Sequence, residues 1–361
     1  MRRSDVPTPA LLVDIDLLDH NIAVMRDNTA RLGVKLRPHA KAHKCVEIAQ
    51  RLGAAGAVGA SCATIAEAEA MALGGIPGVL LTAPLTSTDA LDRLRRLLLR
   101  GADVSITVDN PASVKGFAVI ARAAGRELAV IVDIDGGMAR TGCRNNATAV
   151  ALAKAIAAES TLRYDGIQMY WGHLQQVMPL TERSRLVDIK VESLQSLISS
   201  LKEANLAPGI VSGGGTGSHG LDSKSGLFTE MQAGSYLFMD SCYGTIDIEE
   251  GSNPFKPSLF VAASVVSANH PGLVTVNAGW KAFAADSGKP VAVRGAPATS
   301  TYHFMGDEHG AVEFAAGESP ALGSTIEFLT SHCDPTVNNF DRYHVVRGED
   351  VVDIWPIRGR Y

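Results

Sequence analysis

The sequence predicts an α/β chain in which a parallel eight-stranded barrel is followed by a mostly β domain. Three observations support this prediction. Short apolar runs alternate eight times with segments whose apolar residues recur at three- and four-residue spacing. After Asp240 this helical periodicity fades, and prolines separate short β-rich runs. Polar and glycine-rich motifs follow several of the predicted strands. In barrel enzymes the active site lies at this C-terminal end of the strands.

The first part of the chain contains eight predicted strands and the helices between them. The strands are Val34–Pro38, Ala57–Ser61, Gly78–Leu81, Val104–Val108, Leu128–Ile134, Gly166–Tyr170, Gly209–Ser212 and Met231–Leu237. The helices are Val46–Leu52, Ile65–Leu73, Ala90–Leu99, Pro111–Ala124, Thr148–Ala158 and Thr181–Ala204. Such alternation is typical of a parallel sheet, and eight units over roughly 210 residues fit a TIM barrel. The competing doubly wound sheet needs Gly-x-Gly-x-x-Gly after its first strand, and the sequence has none there.

The second part of the chain is predicted to form a β domain. Its strands are Leu259–Val266, Leu273–Val276, Val291–Val293, Ala311–Phe314, Thr325–Leu329 and His344–Val346. The N-terminal run Ala10–Val13 is expected to add a strand to this domain. We therefore predict a barrel over residues 18–244 and a β domain over residues 245–361 that also takes residues 1–17.

Composition and charge narrow the class of protein. The 361 residues are 46% apolar and 20% charged, which is ordinary for a globular chain. The net charge of −5 argues against nucleic acid or an acidic membrane as a partner. The sequence shows no signal-peptide core and no apolar run of membrane-spanning length. The five cysteines are widely spaced, without a Cys-x-x-Cys pair, so we expect a reducing, cytoplasmic setting.

Lys41 stands out because it ends a run of alternating cationic residues. On a strand, Arg37, His39 and Lys41 would share one face, since side chains two apart point the same way. A lysine buried among cations has a lowered pKa and becomes nucleophilic. Lys41 is therefore a candidate for a Schiff base with a carbonyl cofactor or substrate. The alternative is a solvated basic edge.

The segment Gly213–Ser218, called the glycine loop below, follows the seventh predicted strand. Glycines leave backbone N–H groups unhindered, and the loop's Thr216 and Ser218 add hydroxyls, so the loop can hold an anion. Barrel enzymes commonly hold phosphate after their seventh and eighth strands. A flexible turn is the alternative. No Gly-Lys-Ser/Thr follows, so the loop is not a P-loop.

Three further motifs supply candidate site residues. Arg140 follows the fifth strand and can pair with a phenolate or carboxylate, although it could also be a surface arginine. His173 lies in the loop after the sixth strand, as a general acid–base or as a structural histidine. His332 and Asp334 are two apart, so in an extended segment they would share a face and suit a divalent metal. In that conformation Cys333 points the other way.

Taken together, these motifs resemble one enzyme family. The resemblance lies in Arg-Pro-His-x-Lys-x-His-Lys around Lys41, the segments 133–142, 213–217 and 232–236, Glu308-His309-Gly310 and His332-Cys333-Asp334-Pro335. These resemble the D-threonine aldolase / D-serine dehydratase family and cover nearly the whole chain in order. The resemblance implies a pyridoxal-phosphate barrel of the alanine-racemase type (fold type III), a C-terminal β domain, a homodimer with its active site near the interface, and a divalent metal.

The resemblance also implies roles for individual residues. Lys41 would carry the cofactor, His332 and Asp334 would bind the metal, and the catalytic residues would be Lys41, Arg140, Tyr170 and His173. The cofactor contacts would come from Lys41, Arg140, Tyr170, Ser212, Gly214, Gly215, Thr216, Gly234, Ser235 and Tyr236. Two departures are visible. Gln175-Gln176 stands where many aldolase relatives have a histidine, and Asn277 replaces a more usual aspartate.

The resulting hypothesis is an aldolase that cleaves D-3-hydroxy amino acids to glycine and an aldehyde. Dehydratase relatives tend to have cysteine where this chain has Asp334, so the pattern favours the aldolase. Manganese or magnesium suits the carboxylate ligand, with zinc as the alternative. A dehydratase, an amino acid racemase and a non-catalytic carrier of pyridoxal phosphate are the competing hypotheses.

Overall fold

The structure is a computed structural model that describes residues 1–248, 252–315 and 319–360. The chain divides into two compact units. The first, the barrel unit, comprises residues 25–234, 247–248, 252 and 358–360. The second, the β unit, comprises residues 1–24, 235–246, 253–315 and 319–357. No helix among these residues is both long and apolar enough to cross a membrane.

The chain begins with strand β1 (Ala10–Asp14) and helix α1 (Ile15–Arg31), and the barrel follows. The barrel strands are β2 (Lys35–Leu36), β3 (Ala60–Cys62), β4 (Val79–Leu81), β5 (Val104–Val108), β6 (Leu128–Asp135), β7 (Leu162–Tyr170), β8 (Ile210–Gly213) and β9 (Glu230–Met231). The helices are α2 (Val46–Ala54), α3 (Ile65–Leu73), α4 (Thr88–Leu99), α5 (Pro111–Ala124), α6 (Asn146–Ala157), α7 (Leu180–Glu203) and α8 (His219–Lys224).

The strands of the barrel unit are all parallel. Within the described residues, eight strands pair in the order β2-β9-β8-β7-β6-β5-β4-β3. A parallel bridge between His39 and Ser61 joins the β2 end to β3, and Val58 N donates to Leu36 O at 2.8 Å. These contacts close the sheet into a ring and confirm the predicted TIM barrel.

The helices of the barrel begin where the sequence provides side-chain caps. Side-chain oxygens accept a hydrogen bond from the first-turn backbone at four N-termini, namely Thr64, Ser87, Asn110 and Asn145. Pro111 occupies the first position of α5, where its missing N–H costs nothing. Gly125 ends the same helix with φ of +64°, a conformation that glycine adopts without a steric penalty. The predicted helices are therefore confirmed, with ends shifted by at most two residues.

The β unit contains a mixed sheet. Its strands after β1 are β10 (Leu259–His270), β11 (Leu273–Val276), β12 (Val291–Arg294), β13 (Thr301–Phe304), β14 (Gly310–Glu313), β15 (Thr325–Leu329), β16 (Arg342–Arg347) and β17 (Asp350–Pro356), with helix α9 (Cys333–Val337) between β15 and β16. The order is β13-β14-β11-β10-β1-β16-β17, and β15 pairs with β10 and β12. The predicted N-terminal strand is confirmed, because β1 lies antiparallel to β10 and parallel to β16.

Two predicted barrel strands are regular over only two residues each. The segment predicted as Val34–Pro38 is regular only at β2, and Met231–Leu237 is regular only up to Met231. Single backbone bonds continue the pairing, from Arg37 N to Met231 O at 2.9 Å and from His39 N to Ala233 O at 3.2 Å. The chain then turns into 3-10 helices. Residues 40–42 and 235–237, predicted to extend from strands, therefore lie in turns.

Candidate active site

Lys41 lies in a 3-10 turn at the C-terminal end of β2. His39 caps this turn, since its Nδ1 accepts a hydrogen bond from Lys41 N at 3.4 Å. The other ring nitrogen of His39 is 3.2 Å from Thr82 Oγ1. The predicted common strand face is therefore wrong, because the turn rotates Lys41 relative to His39. The half-buried Lys41 nevertheless stands where a barrel strand ends, as predicted.

Arg37 does not supply the cationic surroundings that the sequence suggested for Lys41. Its buried guanidinium makes two bonds of 2.8 Å to the carboxylate of Glu230 and also donates to Gly78 O. This ion pair joins β2's end to β9 inside the barrel. The positive charge of Arg37 is neutralised, so the argument from three neighbouring cations is wrong.

A chain of hydrogen bonds crosses the barrel interior from Glu230. Ser212 Oγ donates to Glu230 Oε1 at 2.7 Å and accepts from Gln232 Nε2 at 2.8 Å. The Gln232 amide continues to Gln168 Oε1 at 3.0 Å, and Gln168 Nε2 donates to Asp133 Oδ1 at 2.9 Å. Burial raises the pKa of Asp133, although bonds from Thr141 and Gln168 lower it. The hydroxyl of Ser212, predicted to contact the cofactor, is thus engaged by protein partners.

Arg140 and Tyr170 come together at the ends of β6 and β7. The guanidinium carbon of Arg140 lies 5.7 Å from the centre of the Tyr170 ring, within the range of a cation–π interaction. The loop that carries Arg140 is held by Asp135, whose Oδ1 accepts from the N–H groups of residues 137, 138 and 139 at 2.8, 2.9 and 3.1 Å. Arg140 is exposed and Tyr170 half-buried, so the pair forms an accessible cationic and phenolic surface.

His173 lies in a short 3-10 turn after β7, close to charged neighbours. Partial burial and the positive charge of Lys190 lower the pKa of His173, whereas Asp135 raises it. A ring with a lowered pKa is neutral near pH 7 and can accept a proton. His173 is also exposed, as an acid–base group that meets substrate must be.

The glycine loop lies so close to neighbouring residues that its glycines leave no space for a β-carbon. A β-carbon at Gly213 would collide with Met169 O, and one at Gly214 would lie 2.9 Å from Asp222 Oδ2. Gly214 also has φ of +72°. A β-carbon at Gly215 would lie 2.5 Å from Gln175 Oε1. The glycines of the loop are therefore required by protein neighbours, and anion binding by the loop stays a prediction.

Three site residues were not predicted from the sequence. Gln175 and Asp222 are buried against the glycine loop, and Glu230 is buried inside the barrel. Only Asp222 has a local signal, because it lies four residues after Ser218 at the start of a helix. Gln175 is a departure from the family pattern. Its role in holding the loop depends on contacts across the barrel that no local pattern reveals.

The predicted cofactor contacts after β9 are divided between the units. Gly234 belongs to the barrel unit, and a β-carbon there would lie 2.9 Å from His39 O. Ser235 and Tyr236 belong to the β unit and lie in a buried 3-10 turn. The Tyr236 ring packs against Phe255 with centroids 5.5 Å apart, and burial raises the pKa of its hydroxyl. These residues follow β9, whereas the sequence placed them on the strand.

The predicted metal pair lies in the β unit. His332 is the extended N-cap of α9, and Asp334 lies within the helix. The prediction of one extended segment is wrong, because a helix begins directly after His332 and includes Asp334. Both side chains nevertheless affect the pKa of Asp240. Burial and Asp334 raise the pKa of that carboxyl, while His332 lowers it.

The chemistry of His332 fits a metal ligand. Its Nδ1 lies 2.6 Å from Asp286 Oδ2. Since a carboxylate only accepts, Nδ1 carries the hydrogen of this contact, which leaves Nε2 as the ring atom for a metal. Among residues 1–248, 252–315 and 319–360, no three His, Cys, Asp or Glu side chains are grouped to hold a metal. Metal binding by His332 and Asp334 stays a prediction.

Cys333 is not available as a ligand in this arrangement. Its thiol is fully buried, 3.5 Å from Thr330 Oγ1 and 3.6 Å from Met239 O. Burial, followed by the charge of Asp240, raises the pKa of the thiol. A thiolate is the form that binds metal, so Cys333 is a structural residue here.

Asn277, the second departure from the family pattern, has a structural role in the β unit. Its Oδ1 accepts from Ser264 N at 2.8 Å, and its Nδ2 donates to Thr8 O at 3.1 Å and to Thr8 Oγ1 at 3.0 Å. An aspartate could not donate to the Thr8 carbonyl. Asn277 therefore ties the N-terminal segment to β10.

Comparisons with known proteins agree with this fold. The model of the alanine racemase N-terminal domain matches residues 13–242, and that of the putative serine dehydratase domain matches residues 258–346. The 3-hydroxy-D-aspartate aldolase of Paracoccus denitrificans is 38% identical, over 100% of this chain and 94% of the relative. The D-threonine aldolase of an Arthrobacter species is 37% identical, over 98% and 93%. The crystal structure of D-threonine aldolase from Filomicrobium marinum has a TM-score of 0.95 and 36% identity, over 100% of this chain and 97% of that one.

These matches define the class of protein as an enzyme with the alanine-racemase type of barrel. Within that class, the chain belongs to the D-threonine aldolase / D-serine dehydratase family.

Proposed function

We propose that this protein is a pyridoxal-phosphate- and divalent-metal-dependent aldolase that cleaves D-3-hydroxy amino acids to glycine and an aldehyde. The observation that carries the proposal is the full-length similarity, at 37–38% identity, to two aldolases of this substrate class. The His332-x-Asp334 pattern, which the family resemblance assigns to aldolases, supports it.

The donor set of the barrel unit fits pyridoxal phosphate. It includes the amine of Lys41 at a strand end, the Arg140–Tyr170 pair, and the closely held glycine loop. When bound, the cofactor supplies the electron sink for carbon–carbon cleavage, and a divalent ion supplies a Lewis acid for the 3-hydroxyl. His332 and Asp334 would hold that ion.

The residues of this chain would then bind, orient and move protons. Lys41 would hold the cofactor through its amine. Arg140 would contribute a positive charge beside it, and the glycine loop would hold its phosphate. His173, neutral near pH 7, accepts the proton of the 3-hydroxyl.

Two finer statements complete the proposal. We propose a homodimer, as the family resemblance implies, and light scattering of the purified protein tests it. We also propose a cytoplasmic location, supported by the four buried free thiols Cys45, Cys62, Cys143 and Cys333, which persist in reducing compartments.

Product analysis tests the reaction. We expect D-threonine to give glycine with acetaldehyde, and 3-hydroxy-D-aspartate to give glycine with glyoxylate. The two substrates differ in side-chain charge, so their relative rates define the specificity. The domain match to a putative serine dehydratase favours one alternative. Ammonia with 2-oxobutanoate from D-threonine would establish that dehydratase and refute the aldolase, and formation of L-allo-threonine, by inversion at Cα alone, would indicate a racemase.

A further inference from the structure

We infer that Asp222 is a positioning residue for the cofactor phosphate: with Gln175, it fastens the glycine loop to the segment after β7 that carries Tyr170 and His173. The inference rests on the proposed function, because the ligand of the loop is taken to be the phosphate of pyridoxal phosphate. Asp222 touches neither the cofactor nor the substrate in this proposal. It acts through the backbone of the glycine loop, which would contact the cofactor phosphate.

Gln175 holds the glycine loop from one side. Its Oε1 accepts a hydrogen bond from Gly217 N at 3.0 Å. Its Nε2 donates to Ser218 Oγ at 2.8 Å and to Trp171 O at 3.4 Å. The buried side chain thus bridges two consecutive residues of the loop to the segment after β7.

Asp222 holds the loop from the other side. Its Oδ1 accepts from Trp171 Nε1 at 2.9 Å, and its Oδ2 accepts from Ser218 Oγ at 2.5 Å. The N–H of Gly215 also bonds to this carboxyl. The three donors come from the loop and from the segment after β7, so one carboxyl joins the two.

A carboxylate is suited to this position, and an amide is not. Three neutral donors converge on Asp222, which has two acceptor oxygens and, when ionised, no hydrogen of its own. An asparagine would present an NH₂ group to one of these donors. Asp222 is fully buried, and burial raises its pKa to about 7. Keeping a buried carboxyl for its hydrogen bonds is costly, which argues for a role beyond packing.

The side chains of Asp222 and Gln175 both lie against the glycine loop and restrict its position. A β-carbon at Gly214 would lie 2.9 Å from Asp222 Oδ2, and one at Gly215 would lie 2.5 Å from Gln175 Oε1. Each glycine therefore fits against one of these two side chains. The backbone of the loop is therefore held in one position before a ligand arrives, and such preorganisation increases affinity.

The same contacts link the phosphate loop to the catalytic candidates. Trp171 directly follows Tyr170, and Gln175 lies two residues after His173. If Asp222 is altered, the loop and this segment lose a shared anchor. We therefore expect both weaker cofactor binding and slower turnover at saturating cofactor.

The test measures the dissociation constant of pyridoxal phosphate from the apoenzyme by visible absorbance, and the ³¹P NMR shift of the bound phosphate. Asp222→Asn should raise the dissociation constant by roughly 10- to 100-fold, the range expected when a hydrogen bond to a charged group is lost. It should also move the ³¹P resonance and lower kcat at saturating cofactor, with little change in KM. Gln175→Ala should act in the same direction.

Ser223→Ala is the matched control. Ser223 lies next to Asp222 in α8, is equally buried, and its Oγ has no hydrogen-bond partner in the part of the chain that the structure describes. The dissociation constant of pyridoxal phosphate from Ser223→Ala should stay within about twofold of the wild-type value, since no hydrogen bond is lost. Trp171→Phe, which keeps an aromatic ring against Phe228 but removes the indole N–H, should give an intermediate effect.

The outcomes separate the inference from the proposed function. If the wild-type apoenzyme does not bind pyridoxal phosphate, the proposed function fails. If the wild type binds and Asp222→Asn shows the same affinity and ³¹P shift, the inference is overturned, even when the variant is less stable. If Asp222→Asn does not fold, Gln175→Ala and Trp171→Phe decide, and unchanged affinity in both overturns it.

Discussion

A β-carbon at Gly215 would lie 2.5 Å from the side-chain oxygen of Gln175. The glycine is thus required by a protein side chain, whatever ligand the loop holds. A bulky residue at position 215 would displace Gln175 first and a phosphate second. Weakened cofactor binding in such a variant would therefore not by itself show that the phosphate lies against Gly215.

We predict that this clash can be relieved. Gly215→Ala should destabilise the protein and weaken cofactor binding, because Gln175 must leave its hydrogen bonds. In Gly215→Ala/Gln175→Ala, the added methyl meets no amide, so the penalty of the Gly215 change should shrink by about 1 kcal/mol, a typical coupling for residues in contact. Urea unfolding of the four proteins measures the coupling. Additive effects would mean that the two residues do not touch.

Lys41 is predicted to carry the cofactor. Lys41→Ala should lose the visible absorbance of the protein-bound cofactor and the aldolase activity, since no other amine replaces it. Borohydride reduction of the wild type, followed by peptide mass mapping, should label Lys41.

Two other lysines serve as controls for this assignment. Lys44 is buried in an ion pair with Glu67, and Lys281 is exposed beside Glu308. Lys281→Ala should keep absorbance and activity. A label on Lys44 or Lys281 in place of Lys41 would make the assignment wrong.

His173 is predicted to determine the acidic limb of the pH–rate profile. As a base it acts in the neutral form, so kcat should fall as the pH drops through its pKa, which lies below the usual value. Lys190 contributes to that lowering, so Lys190→Met should move the acidic limb to higher pH. His173→Gln should lose the limb and most of the activity. A limb that keeps its position in Lys190→Met would exclude His173 as the titrating group.

Asp222 should make stability depend on pH. Burial raises its pKa from 3.8 to about 7, so the folded protein holds this proton more tightly than the unfolded chain. The resulting stabilisation is present below the unfolded pKa and is lost as the pH rises through the folded pKa, with an upper limit of about 4 kcal/mol. Asparagine does not titrate. Compared with wild type, Asp222→Asn should therefore become relatively more stable between about pH 5 and about pH 8.

Urea unfolding of the apoenzyme at both pH values checks this expectation, with Ser223→Ala as the reference. The stability difference between Ser223→Ala and wild type should not change with pH. If the difference for Asp222→Asn is equally constant, the pKa of Asp222 is not raised in the folded protein.

The metal pair gives the last prediction. Chelation should abolish cleavage while pyridoxal phosphate stays bound, and manganese should restore it. Asp334→Ala should behave like the chelated enzyme. Asp286→Asn should weaken manganese binding by about 10- to 100-fold, as expected for a residue that orients a ligating histidine. Electron paramagnetic resonance of added Mn²⁺ measures this binding directly.

Cys333→Ser is the control for the metal pair, because its thiol is buried and protonated. It should keep its manganese affinity. Full cleavage activity in Asp334→Ala after exhaustive metal removal would refute the metal dependence of the proposed aldolase.

The sequence by itself determined the barrel and the position of most candidate site residues. Apolar periodicity located the helices from α2 to α7, since burial of one helix face depends on local spacing. It also located the strand ends after which Lys41, Arg140, His173 and the glycine loop occur. In a parallel barrel the carboxyl ends of all strands lie on one side, so chain order alone predicted that these residues gather there.

Tertiary structure alone decided which side chains hold the site. Glu230 neutralises Arg37 from 193 residues away, and Gln175 and Ser218 meet across 43. The helix that begins at Cys333 likewise overrode an extended pattern. The residue type at one position does not determine which distant residue will be its hydrogen-bond or ion-pair partner. Only the closing of the barrel fixed those partners, because buried polar groups pair with whatever the packing brings within hydrogen-bond distance.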